Sequence, residues 1–269
     1  MTSGYVSFDA NRLHYLRFGN GPRLVIAFHG YSNSAGMFQH FERLLEKDCT
    51  VFSVDLPHHG RSTDWLENRD LKPADLRMLV EHFCGELGVD KCSLLAYSLG
   101  GRMCFKIIED IPERVDRAVL AAPDGLRFDP FYYFVTRTTP GRGVFTHVLG
   151  RPQRYFRVLD ALKHRGVLNE TKHSFVRQFL ETPHSRGLLR KAWPSLRHLV
   201  PRVARVKAAI ARHKIVVHIF AGRHDRVIPL SSAVAFAKGS PMVKLHILDT
   251  GHHVLDGDNI RAASEALLQ

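Results

Sequence analysis

Ser98 stands at the end of the apolar run CSLLAYS (92–98), with Ala96 two residues before it and Gly100 and Gly101 just after. A serine hydroxyl becomes a nucleophile when a base takes its proton and fixed donors receive the negative charge that develops on the attacked oxygen. The small flanking residues suit a strained strand-to-helix turn, where the helix start must come close to the strand. A helix beginning there offers the N–H of Leu99, and its dipole favours an oxyanion. The stretch AYSLGG also describes an ordinary turn with an N-capping serine. Its chemical meaning therefore depends on what the rest of the chain brings to the same place.

Four further segments bear on that question. LVIAFHG (24–30) ends in His29-Gly30-Tyr31-Ser32, where Gly30 lets the backbone turn and the Tyr31 N–H can join that of Leu99 as a second oxyanion donor. TVFSVDL (50–56) is followed by Pro57-His58-His59-Gly60-Arg61-Ser62, in which Asp55 is expected to organise the loop. KIVVHIFAG (214–222) is followed by Arg223-His224-Asp225, and VKLHILD (243–249) by Thr250-Gly251-His252-His253. A base and an acid are thus offered after two later apolar runs. Asp124, after RAVLAAP (117–123), is a rival acid, His253 a rival base, and His29 reads as structural.

The elements that must hold these residues follow from periodicity. The six runs just quoted, with TVFSVDL and CSLLAYS among them, are near-continuously apolar and of strand length, as in strands buried on both faces of a parallel sheet. Between them MFQHFERLLEK (37–47), ADLRMLVEHFCGELG (74–88) and GGRMCFKIIED (100–110) repeat apolar residues every three or four positions and read as helices. Repeated strand and helix imply right-handed crossovers and an open α/β sheet. The opening YVSFDANRLHYLRFG (5–19) alternates instead, which predicts a hairpin turning at Asp9 to Asn11.

The 269 residues carry 38 Lys and Arg against 26 Asp and Glu, a net charge of +12, with a mean hydropathy of −0.15. That is a globular composition. The charge is uneven: residues 126–214 hold 19 Lys and Arg and four acids, a balance of +15, whereas the remainder balances at −3. This basic stretch has helical patches broken at Pro140, Pro152, Pro183, Pro194 and Pro201 and no strand-like run. It reads as a helical cap (126–214) inserted into a core of residues 1–125 and 215–269. Cys49, Cys84, Cys92 and Cys104 lack zinc or redox spacing and read as buried thiols of a reducing compartment. With neither a secretory leader nor an apolar stretch of membrane-spanning length, a cytoplasmic location is expected.

Taken together, the chain resembles the α/β-hydrolase fold family of capped serine esterases, lipases and C–C hydrolases, over nearly its whole length outside the cap. The resemblance implies a mostly parallel sheet of about eight strands, helices on both faces and a cap inserted after strand six. The family order of nucleophile, acid and histidine is met by Ser98, Asp225 and His252. Asp225 is preferred to Asp124 because Gly-x-x-Asp followed by Val-Ile-Pro is the family's more typical arrangement, and His252 to His253 because it follows Gly251 directly. Tyr31 and Leu99 are the implied oxyanion donors. The family's usual Gly is replaced by Ala96 before the nucleophile and by His58 after the second strand. Relatives that cut halides or epoxides place Asp where this chain has Ser98, so ester, thioester or C–C acyl cleavage remains, without metal or organic cofactor. An acyltransferase using the same three residues is a further alternative, and a non-hydrolytic, ligand-binding member of the fold is the alternative from another class.

The basic cap admits a solvated face, an anionic or lipid-like acyl substrate steered by the positive field, or peripheral contact with an acidic membrane surface. No nucleic-acid-binding module is present, and the oligomeric state is left open.

Overall fold

The computed structural model describes residues 1–63, 65–66, 69–166, 177 and 180–269. Eight strands form one sheet: β1 (Thr2–Phe8), β2 (Asn11–Phe18), β3 (Arg23–Phe28), β4 (Cys49–Val54), β5 (Cys92–Tyr97), β6 (Val115–Ala121), β7 (Val216–Gly222) and β8 (Val243–Leu248). Their order is β1-β2-β4-β3-β5-β6-β7-β8. β1/β2 and β2/β4 are antiparallel and every other pair is parallel. The expected hairpin is present, with Asp9 at φ 52° in its turn. β4 and β5 are buried at every residue, as their unbroken apolar runs require.

The chain divides into two compact units, one of residues 1–66, 71–128 and 198–269 and the other of 67–70 and 129–197. The larger contains the sheet with α1 (Glu42–Leu45), α2 (Pro73–Leu87), α3 (Gly100–Asp110), α8 (Val203–His213), α9 (Leu230–Ala237) and α10 (Gly257–Leu268). The smaller contains α4 (Pro130–Arg137), α5 (Thr139–Gly150), α6 (Pro152–His164) and α7 (Pro183–Ser195). Four of these helices open on proline in the first turn, where a missing N–H costs nothing. Asp129, Thr138 and Thr182 cap α4, α5 and α7 by accepting from Tyr132, Gly141 and Ser185 N–H groups at 3.0 Å each.

Three expectations change. The second unit ends at Arg197, so residues 198–214 belong to the larger unit instead of the cap: α8 buries Val206, Ala209 and Ile210, and the Arg202 N–H donates to Glu109 Oε2 on α3 at 3.0 Å. The helix expected over 37–47 is mostly a 3₁₀ segment, Ala35–Phe41, followed by the four-residue α1. Pro194 lies within α7, one residue before its end, and does not break it earlier. Residues 167–176, expected as part of the helical insert, lie outside the described residues. Among the described residues no helix is long and apolar enough to cross a membrane.

At the junction of β5 and α3, a Cβ on Gly100 would lie 2.0 Å from the Phe28 carbonyl oxygen on β3. The helix can start this close to the sheet only because that position has no side chain. Gly100→Ala should therefore lower stability by about 3 kcal/mol, read as a fall in the urea midpoint. Gly143→Ala, whose Cβ would meet nothing within 4 Å, should leave the midpoint unchanged or raise it slightly. Equal behaviour of the two variants would contradict the close-approach argument.

Candidate active site

Ser98 adopts φ 49°, the left-handed region that a residue with a side chain enters at a cost. It is held there from both sides. Its N–H donates to Ala121 O on β6 at 2.9 Å, and its carbonyl accepts from Gly101 N–H at 2.9 Å and Asp124 N–H at 2.8 Å. This geometry turns the hydroxyl out of the sheet at the start of α3, and Ser98 is half-buried.

Asp225 and His252 arrive on the loops after β7 and β8. Those loops touch through backbone: Arg223 N–H donates to Leu248 O at 2.8 Å and His224 N–H to Thr250 O at 2.9 Å. A Cβ at Gly222 would lie 1.9 Å from Gly251 O, so this contact too depends on glycine. His252 Nδ1 is 2.8 Å from Asp225 Oδ2, and His252 Nε2 is 2.9 Å from Ser98 Oγ. A carboxylate only accepts, so Nδ1 carries the proton and Nε2 presents its lone pair to the serine hydroxyl. The other carboxylate oxygen of Asp225 accepts from the N–H groups of Val227 and Ile228, at 2.8 Å each. The carboxylate is thereby held in a fixed orientation against the imidazole. Its side chain is 1% exposed and that of His252 19%.

The rivals fall elsewhere. Asp124 pairs with Arg102 Nε at 2.7 Å and accepts from Gly125 N–H at 2.7 Å. His253 is exposed, with its Nδ1 3.5 Å from the Tyr97 hydroxyl. Leu99 is the residue preceding α3, so its N–H lies before the helical hydrogen-bond ladder. Tyr31 follows β3 at the same, carboxyl end of the parallel strands.

His29 is fully buried, with Nδ1 2.7 Å from Gly30 O and Nε2 accepting from Leu56 N–H at 3.0 Å. Each ring nitrogen has its role, and the ring is neutral. Burial, reinforced by the neighbouring His59, brings its pKa down to about 3. Asp55, expected to organise its loop, accepts from Ala35 N–H at 2.5 Å, from Arg61 N–H at 2.8 Å and from His14 Nδ1 at 2.8 Å. It joins β2 to the segments that follow β3 and β4.

Two contacts lay outside the sequence reading. His14 on β2 is the buried partner of Asp55, and nothing in its strand's alternation marks it. Tyr97 donates from its hydroxyl to His252 O at 3.3 Å, and its ring lies 5.3 Å from the imidazole. Burial, with a smaller push from the Asp225 charge, takes the Tyr97 pKa up to about 12, so it remains a donor. Its place directly before Ser98 was the available signal.

This fold and this arrangement define a hydrolase of the α/β-hydrolase class. The chain belongs to the Hydrolase_4 family, described as serine aminopeptidase, S33, whose model matches residues 20–259. It is 25% identical to the pimeloyl-[acyl-carrier protein] methyl ester esterase of Xanthomonas oryzae pv. oryzae, over 95% of this chain and 97% of that one. It is 29% identical to the dihydrolipoyllysine-residue acetyltransferase component of the acetoin cleaving system of Cupriavidus necator, over 45% of this chain and only 32% of that protein. Among solved structures, the meta-cleavage product hydrolase CumD of Pseudomonas fluorescens IP01 matches with a TM-score of 0.64 at 20% identity, over 96% of this chain and 94% of that one.

The neutral buried His29 ties stability to pH. Unfolding returns the ring to the ordinary value of 6.5, so below that pH the unfolded chain binds a proton that the native chain refuses. Stability is fully present above pH 6.5 and is lost as the pH falls from there toward 3, by about 1.4 kcal/mol per pH unit for each such ring. His59, also lowered by burial, acts in the same direction. Denaturant midpoints should drop between pH 6.5 and 4.5. His29→Gln should be less stable at neutral pH yet show a flatter slope over that interval; an unaltered slope counts against this account.

Proposed function

We propose that the protein is a serine hydrolase cleaving a carboxylic ester or related acyl bond through Ser98, His252 and Asp225. The observation that carries this reading is the continuous hydrogen-bonded chain Ser98 Oγ, His252 Nε2 and Nδ1, Asp225 Oδ2, on a nucleophile held at positive φ. His252 Nε2 accepts the hydroxyl proton as Ser98 Oγ bonds to the substrate carbonyl carbon. The carbonyl electron pair moves onto its oxygen, where the N–H groups of Tyr31 and Leu99 stabilise it. Collapse of that intermediate breaks the bond to the leaving group, which takes the proton from His252. Water, deprotonated by His252, then releases the acid and restores Ser98. Asp225 orients the imidazole and stabilises it while charged.

The likeness to the pimeloyl-[acyl-carrier protein] methyl ester esterase, along almost the full length of both chains, supports an ester as the bond cut. Cleavage of a C–C bond by the same three residues is the second reading, favoured by the structural likeness to CumD. A carbonyl attacked by serine is common to both.

Ser98→Ala should reduce turnover of a p-nitrophenyl ester by about 10³-fold or more and abolish labelling by a fluorophosphonate. Asp124→Asn should retain most turnover, whereas Asp225→Asn should lose roughly 10³-fold or more. Undiminished labelling of Ser98→Ala would refute the assignment, and a collapse of turnover in Asp124→Asn alone would move the acid to that residue. A panel of esters of graded chain length, run beside a vinylogous diketone, separates ester from C–C cleavage.

A further inference from the structure

α5 and α7 of the smaller unit flank a half-open recess of about 310 Å³ lined by Thr146, Leu149, Gly150, Pro183, Arg186, Gly187 and Arg190. The lining is regular in sequence. Positions 146, 149 and 150 are one face of α5, and 183, 186, 187 and 190 are a stripe along α7. Both faces carry a glycine where the cavity opens, and a Cβ at either Gly150 or Gly187 would meet nothing within 4 Å. Glycine inside a helix costs about 1 kcal/mol relative to alanine. At 187 no neighbour requires the missing side chain, and what its absence leaves is room.

The chemistry of the lining is one-sided. Leu149, Pro183 and the two glycines form an apolar wall, Thr146 adds a hydroxyl, and two guanidinium groups stand one turn apart with no carboxylate among the described lining residues. Arg186 is steadied by its Nη1, which donates to Leu180 O at 2.6 Å and Glu181 O at 3.1 Å, and this leaves the rest of its fork available. The volume lies in the range of small-ligand sites, which pair apolar walls with a few placed polar groups. Guanidinium groups favour carboxylate and phosphate oxygens. We infer that this cavity binds an amphiphile with a short apolar body and an anionic carboxylate or phosphate head, the head on Arg186 and Arg190 and the body against Leu149 and Pro183.

The full chain is titrated by calorimetry with octyl phosphate below its micelle concentration, with octan-1-ol, with inorganic phosphate, and with vesicles of phosphatidylcholine with or without phosphatidic acid. Saturable one-to-one binding of octyl phosphate is expected, at least tenfold tighter than octanol or inorganic phosphate. Gly187→Leu, which fills the cavity and favours the helix, and Arg190→Ala should each weaken it at least tenfold with the circular dichroism spectrum retained. Vesicle binding that requires phosphatidic acid and is lost in Gly187→Leu assigns the ligand to a membrane lipid, and binding of the monomer alone assigns it to a free amphiphile. Absence of saturable binding, equal binding of octanol or of inorganic phosphate, or full affinity in Gly187→Leu overturns the inference. None of these readouts involves Ser98, so the result is independent of the hydrolase reading.

Discussion

The left-handed turn at Ser98 is the constraint on which the site depends. A non-glycine residue at φ 49° carries a local strain of about 1–3 kcal/mol, and only surroundings that leave no alternative can hold it. Two central strands do so: β6 receives the Ser98 N–H through Ala121 O, and β3 stands so close that Gly100 meets the Phe28 carbonyl. Had either strand been at an edge, the turn would have been free to relax. The order β3-β5-β6 places Ser98 at the end of the strand with both neighbours parallel and buried, where relaxation is blocked on each side.

A second fixed group is the Asp55 carboxylate, buried after β4. Buried without partners it would be costly, but it accepts two backbone N–H groups and faces His14. Its carbonyl also accepts from the Ser62 hydroxyl at 2.9 Å, and the same hydroxyl receives the His14 N–H at 2.9 Å. The effect is to add side-chain ties between the segment after β3, the segment after β4 and β2, where the β2/β4 ladder ends with Asp55 N–H donating to His14 O at 2.8 Å. His29 adds a further tie by accepting from Leu56 N–H. The loop bearing Tyr31 is therefore held by buried polar groups at its base, and the Ser98 turn by sheet hydrogen bonds. In the proposed hydrolase reading, such separate anchoring would keep the two oxyanion donors in place before charge develops.

The sequence revealed the strands well and their partners poorly, and the reason is physical. A strand buried on both faces has no choice but to be apolar, so LVIAFHG, TVFSVDL and CSLLAYS declare themselves; β3, β4 and β5 lie within them to one or two residues. The segment at 37–47 misled because Phe38 and Phe41, with Ala35 just before the segment, return every three positions. That spacing fits a 3₁₀ turn as well as an α-helix. Residues 198–214 misled for another reason: their Arg and Lys continue the basic run, while the apolar stripe Val206, Ala209 and Ile210 decides where they pack. Charge marks a surface, and only buried area assigns a segment to a unit. The candidate triad was legible because each member follows a strand, whereas His14 and Tyr97 act through contacts that no local pattern records.

Relocating the boundary also changes what the charge means. With 198–214 returned to the larger unit, residues 129–197 hold 13 Lys and Arg against four acids, a balance of +9 in place of the +15 assigned to the whole insert. A field spread over a surface attracts any anion and is screened within about 8–10 Å at ordinary ionic strength. Two guanidinium groups beside an apolar cavity act at contact distance, where screening is weak and shape discriminates. The overall excess of positive charge thus says little about specificity by itself. What distinguishes one anion from another is the place where charge adjoins a recess, and among the described residues the stripe Pro183, Arg186, Gly187 and Arg190 supplies both.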